Sequence, residues 1–68
     1  MPLNVEVEQE EDGRWLDEVV AVPGSMAYGA TRAEAVARAE AVALRAMADR
    51  LDGGEPDPIT GAMFAVSP

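Results

Sequence analysis

The stretch PGSMAYGATRAEA, residues 23–35, joins two parts of the chain with different hydrophobic periodicities. Before it, apolar and polar residues alternate, and after it apolar residues recur every three or four positions. A period of two is typical of a half-buried strand, whereas a period near 3.6 is typical of a helix. The stretch therefore marks the change from sheet to helix, and the rest of the fold follows from it in both directions.

Within this stretch, Pro23-Gly24 predicts a chain reversal, because proline fixes φ and glycine tolerates the conformation that follows. Residues 26–28 then predict a short strand. Thr31 and Glu34 match the capping box, in which the Thr31 hydroxyl accepts from the Glu34 amide and the Glu34 carboxylate accepts from the Thr31 amide. We therefore expect a helix over residues 31–52, ended by two glycines.

The predicted helix has one continuous small apolar stripe, typical of a helix packed close to a sheet. Leu44 and Leu51, with Ala33, fall on the flank of that stripe. Either the buried arc is wide, or this flank is a second contact surface for a partner chain. The stripe itself consists of Ala35, Val36, Ala39, Val42, Ala43, Ala46 and Met47.

Residues 3–22 predict a β-hairpin, since LNVEVEQE alternates strictly and RWLDEVVAV is rich in residues that favour strands. A three-residue loop over residues 11–13 pairs Val5 with Val19 and keeps Trp15 on the apolar face. It also gives Gly13 the position that requires a positive φ. The same register turns Asp17 toward the buried face, for which the sequence offers no explanation.

The C-terminal part predicts a linker over residues 53–61, where glycine, proline and acids are frequent, and a final short strand over residues 62–66. The whole chain, residues 1–68, is then a single domain. Its expected fold class is α+β: a two-layer sandwich with the order β-β-β-α-β, in which one helix packs on an antiparallel sheet.

Composition narrows the possible functions. Thirteen acids face five arginines, giving a formal charge of −8, and the chain has no cysteine and no histidine. We expect such a chain to repel nucleic acid and to favour a basic partner. We expect no catalytic site, no metal and no cofactor. Asp52, Glu55 and Asp57 offer oxygen ligands but lack EF-hand spacing, so we interpret them as a solvated loop.

The small size of the chain limits its core and favours self-association. No segment approaches the length of about 18 apolar residues that a membrane span requires, and the acidic N-terminus is unlike a signal peptide. We therefore expect a cytoplasmic protein without membrane contact.

The ordered set of motifs resembles the HicB family of antitoxins from prokaryotic type II toxin–antitoxin modules. The resemblance covers roughly residues 3–52 of this chain, and Gly54 to Pro58 also fit. The residues that carry it are Asp12, Gly13, Trp15, Pro23, Gly24, Ser25, Gly29, Thr31, Glu34 and Ala35.

The resemblance implies a β-β-β-α-β fold described as partial RNase H-like, or as similar to double-stranded-RNA-binding domains. It implies binding to a small basic toxin, HicA, which degrades mRNA with a histidine-dependent site. It also implies dimers or tetramers. Many family members carry a C-terminal DNA-binding domain that binds their own promoter. Because the sequence ends at Pro68, we expect a minimal form without that domain, and Ser25 stands where the family often has cysteine.

Two functional hypotheses follow from the sequence. The first is an antitoxin-like protein that neutralises a HicA-type toxin. The alternative is an orphan homo-oligomeric domain with a structural or ligand-binding role and no toxin partner. The candidate surface for a partner or for a second copy is apolar and consists of Leu44, Leu51, Met63, Phe64 and Val66.

Overall fold

The computed structural model describes residues 3–67 of the chain. Three strands lie side by side in the order β1-β2-β3, and both neighbouring pairs are antiparallel. A long helix, α1, packs on one face of this sheet, and a short helix, α2, follows it. The bounds are Val5–Gln9 for β1, Trp15–Val19 for β2, Met26–Gly29 for β3, Arg32–Asp52 for α1 and Pro58–Met63 for α2.

The hairpin between β1 and β2 has the predicted register, with Val5 opposite Val19. The Glu10 amide donates to the Arg14 carbonyl (2.7 Å), which closes the predicted three-residue loop. Gly13 has a φ of 91°, a left-handed conformation that glycine adopts without steric cost. The alternation of residues along both strands therefore determined which side chains face the helix.

The helix α1 begins as its capping residue predicts. The Thr31 hydroxyl accepts from the Glu34 amide at 3.1 Å. The Glu34 carboxylate lies 2.8 Å from the Arg38 guanidinium, one turn along the exposed side of α1. The Glu34 carboxylate thus pairs with Arg38 and does not make the reciprocal hydrogen bond to the Thr31 amide that the capping box predicts.

The small residues of α1 face the sheet, as the stripe predicts. Ala35, Ala39, Ala43 and Met47 are buried, and the other members of the stripe are half-buried. Side chains this small let the helix axis approach the sheet closely. The buried hydrophobic cluster that results consists of Val19, Val22, Ala39, Ala43 and Met47.

Gly29, the last residue of β3, lies directly against the first turn of α1. A Cβ added there would stand 2.4 Å from the backbone nitrogen of Ala35 and 2.9 Å from its Cα. Both atoms belong to the helix backbone, so rotation of a side chain cannot relieve the clash. Glycine is therefore needed at this position for close packing between strand and helix.

The prediction of a final strand over residues 62–66 is wrong, and the predicted linker over residues 53–61 is irregular only as far as Asp57. The helix α2 covers Pro58–Met63, and residues 64–67 have no regular structure. The Asp57 side chain accepts from the Ile59 amide at 2.9 Å, and Pro58 occupies the first helical turn. Aspartate followed by proline is a helix-start signal, and it outweighed the apolar run that suggested a strand.

Candidate functional site

The sheet has one face under α1 and one face that no helix within residues 3–67 covers. We call the second one the open sheet face. The register places Glu6, Glu18 and Met26 in one row across the three strands of this face. It places Glu8, Leu16 and Tyr28 in the next row. These six residues alternate with those that face the helix, so the open sheet face follows directly from the strand pattern.

Like charges meet on the open sheet face. Glu6 on β1 stands directly opposite Glu18 on β2, and Glu8 follows two positions along β1. Directly opposed side chains have Cβ atoms about 5 Å apart, and like charges in that arrangement are destabilising. A cation placed over the two carboxylates would relieve this repulsion.

Three of the five arginines pair with carboxylates outside the open sheet face. Across residues 3–67, the ion pairs join Arg14 to Asp12 (2.8 Å), Arg38 to Glu34 (2.8 Å) and Arg50 to Asp57 (3.9 Å). None of these pairs includes a carboxylate of the two rows. The acidic rows of the open sheet face therefore keep their negative charge facing outward.

The apolar members of the open sheet face are also accessible. Met26 is 48% exposed and Tyr28 is 43% exposed, while Leu16, opposite Tyr28 on β2, is half-buried. A shallow depression of about 540 Å³ lies over this part of the sheet, bordered by Glu6, Glu8, Leu16, Glu18 and Met26, with Val7. Carboxylates thus border an apolar floor, an arrangement suited to a partner that is both basic and apolar.

Arg14 contacts Tyr28 at one end of the open sheet face. Its guanidinium lies over the Tyr28 ring, 4.4 Å from the centroid, and its Nε donates to Asp12 at 2.8 Å. The pKa of Asp12 lies below its ordinary value, first because the Arg14 backbone amide donates to its carboxylate and further because the guanidinium does. The carboxylate therefore stays ionised to lower pH and keeps Arg14 in place over Tyr28.

The apolar surface suggested by the sequence is exposed in the structure. Its exposure ranges from 52% at Leu51 to 92% at Val66. The structure brings Leu44 and Met63 together, since both line an apolar groove of about 310 Å³ between α1 and α2. Leu51, Phe64 and Val66 do not line that groove. Because Leu44 and Leu51 are more than half exposed, they do not belong to a widened core.

Two polar side chains are completely buried on the helix side of the sheet. Asp17 is buried as its register predicts, and Ser25, opposite Val19, is buried too. Neither side chain has a hydrogen-bond partner among the described residues. No local pattern indicated that Ser25 would be buried, because serine is common at exposed turns as well.

Four of the motif residues behind the family resemblance have structural roles in this chain. Gly13 and Gly24 have positive φ in turns, Gly29 admits the helix, and Thr31 caps it. No group of three or more metal-ligating side chains gathers within residues 3–67. Asp57, which the sequence placed in a solvated loop, instead caps α2.

Comparison with known proteins finds no matching family model, no similar curated protein and no similar solved structure. Within the part of the chain that the structure describes, no helix has the length and apolar character needed to cross a membrane. The functional interpretation therefore rests on the residues and geometry of the chain itself.

Proposed function

We propose that the chain is a non-enzymatic, antitoxin-like binding protein that neutralises a small basic toxin of the HicA type. The observation that carries the proposal is the open sheet face, where Glu6 and Glu18 oppose each other beside exposed apolar side chains. The motif order similar to that of HicB antitoxins names the class of partner, and the net charge of −8 favours a basic one.

The mechanism is masking. A toxin that cleaves mRNA must attract phosphate, so its active surface is basic and complementary to a row of carboxylates. Binding of that surface to the open sheet face would exclude RNA by occupancy and by like-charge repulsion. The chain itself needs no cofactor for this role.

Co-expression tests the proposal. Short basic proteins encoded next to this chain are each expressed alone and together with it, and growth and complex formation are measured. We expect one of them to arrest growth alone, and to be rescued and captured by this chain. If every adjacent product neither arrests growth nor forms a complex, the antitoxin proposal is wrong.

A homo-oligomeric domain without a toxin is the second candidate, favoured by the exposed apolar residues of α1 and the C-terminal segment. Leu44 and Met63 share one groove, and Phe64 beside it is 65% exposed. Sedimentation equilibrium tests this candidate. It predicts a defined oligomer that Leu44→Asp converts to monomer, and a monomer at high micromolar concentration would contradict it.

A further inference from the structure

We infer that the open sheet face binds a basic amphipathic helix of the partner, which would add a third layer to the fold. This inference rests on the proposed function, because it specifies the part of the partner that the proposed surface takes. It starts from the way charge and apolar area divide the face between its strands.

The open sheet face has an acidic side and an apolar side. Glu6 and Glu8 lie along β1, with Glu18 next to them on β2. Met26 and Tyr28 lie along β3, with Leu16 between the two groups. A partner element that follows the strand direction would therefore need cations along one flank and apolar side chains along its centre and other flank.

Spacing along the strand is compatible with a helix for that element. Glu6 and Glu8 are two positions apart along β1, a distance of about 6.8 Å. Residues i and i+4 of a helix rise by about 6 Å and share one face. Two basic residues at that spacing would each meet a carboxylate, and the one over Glu6 would also reach Glu18 across the strands.

The apolar residues on β3 have the same spacing. Met26 and Tyr28 are also two residues apart along β3. A second row of side chains on the same helix, again at i and i+4, would therefore contact both. Met26 is 48% exposed, and Tyr28 is 43% exposed with the Arg14 guanidinium over its ring. The resulting interface has a charged flank over Glu6, Glu8 and Glu18 and an apolar flank over Met26 and Tyr28.

Other occupants fit this face less well. A second copy would bring Glu6 and Glu18 against the same carboxylates, and nucleic acid would be repelled in the same way. Addition of a strand would use a sheet edge and not this face. At the β3 edge the Tyr28 carbonyl already accepts from the Arg38 guanidinium at 3.0 Å.

The probe is a designed helical peptide with Lys at i and i+4 on one flank and Leu along its centre. Its affinity is measured by fluorescence anisotropy for three forms of the protein: the unmodified chain, Glu6→Gln/Glu18→Gln, and the control Asp49→Asn/Glu55→Gln. The control removes the same charge from exposed positions outside the face. Circular dichroism verifies that all three forms are folded.

We expect the open-face variant to bind the peptide about 3- to 10-fold more weakly, and the control to change affinity by less than about twofold. A peptide with Glu in place of Lys should not bind. Equal weakening by both variants, or no binding of the Lys peptide, would overturn the inference.

The same variants separate this inference from the proposed function. If a basic toxin is captured equally by both variants, the toxin uses another surface. The inference and the masking by the open sheet face then fail, while the binding of a basic toxin by this chain stands. If no adjacent product is captured but the Lys peptide binds at the open sheet face, the toxin proposal fails and the surface assignment holds.

Discussion

Gly29 and Ala35 determine how closely the sheet and the long helix approach. A Cβ on Gly29 would lie 2.4 Å from the Ala35 nitrogen, which is far inside van der Waals contact. The contact lies on the face of the sheet that α1 covers through Ala35 and the residues that follow, opposite the open sheet face.

Gly29→Ala should destabilise the protein by about 1–3 kcal/mol, because overpacking against backbone forces strand and helix apart. Gly61→Ala is the matched control, since no atom lies within 4 Å of the added Cβ and its φ is not positive. Urea denaturation measures both. Equal midpoints for the two variants would contradict the close approach.

Asp17→Val should raise the free energy of unfolding by about 1–3 kcal/mol, because it removes a buried carboxyl group that has no hydrogen bond. Valine also favours strands and has one heavy atom fewer than aspartate. Asp17→Asn keeps the shape and a polar group, so its gain should be smaller. A loss of stability in Asp17→Val would show that the carboxyl group is needed in the fold.

Thr31→Ala should lower stability by about 1 kcal/mol, since the hydroxyl that accepts from the Glu34 amide is lost. Thr31→Ser retains the acceptor and should remain close to the unmodified protein. Thermal unfolding compares them. If the alanine and serine variants unfold at the same temperature, the cap does not stabilise α1.

Asp12 should titrate below its ordinary pKa of about 3.9, because two groups of Arg14 donate to it. A folded-state pKa that is lowered stabilises the fold above the unfolded pKa, and this contribution is lost as pH falls through the folded pKa. Carboxyl-carbon NMR measures the midpoint. Arg14→Gln should raise it only partly, since the backbone donor remains, and an ordinary midpoint in the unmodified chain would refute the contact.

The sequence predicted those features that depend on local rules. Alternation placed Val5 opposite Val19, and the Thr31 hydroxyl marked the start of α1. It failed at the C-terminus, where an apolar run suggested a strand although Asp57 and Pro58 carried a helix-start signal. Apolar runs this short do not distinguish strand from helix by periodicity.

The candidate site was only partly readable from the sequence. Alternation placed the glutamates of β1 on a solvent-exposed face. That Glu6 stands opposite Glu18 could be predicted only from the hairpin register. The two rows across three strands required β3 to pair with β2, which no local pattern specifies. The close contact at Gly29 likewise depends on tertiary packing, and the sequence predicted only a strand end there.

The central claim is that the open sheet face binds a basic partner. Amide NMR of the ¹⁵N-labelled chain, titrated with the basic toxin captured in co-expression, tests it most directly. We predict that the largest shifts fall on Glu6, Glu8, Leu16, Glu18, Met26 and Tyr28. Shifts confined to Leu44, Leu51, Met63, Phe64 and Val66, with the open sheet face unchanged, would contradict it.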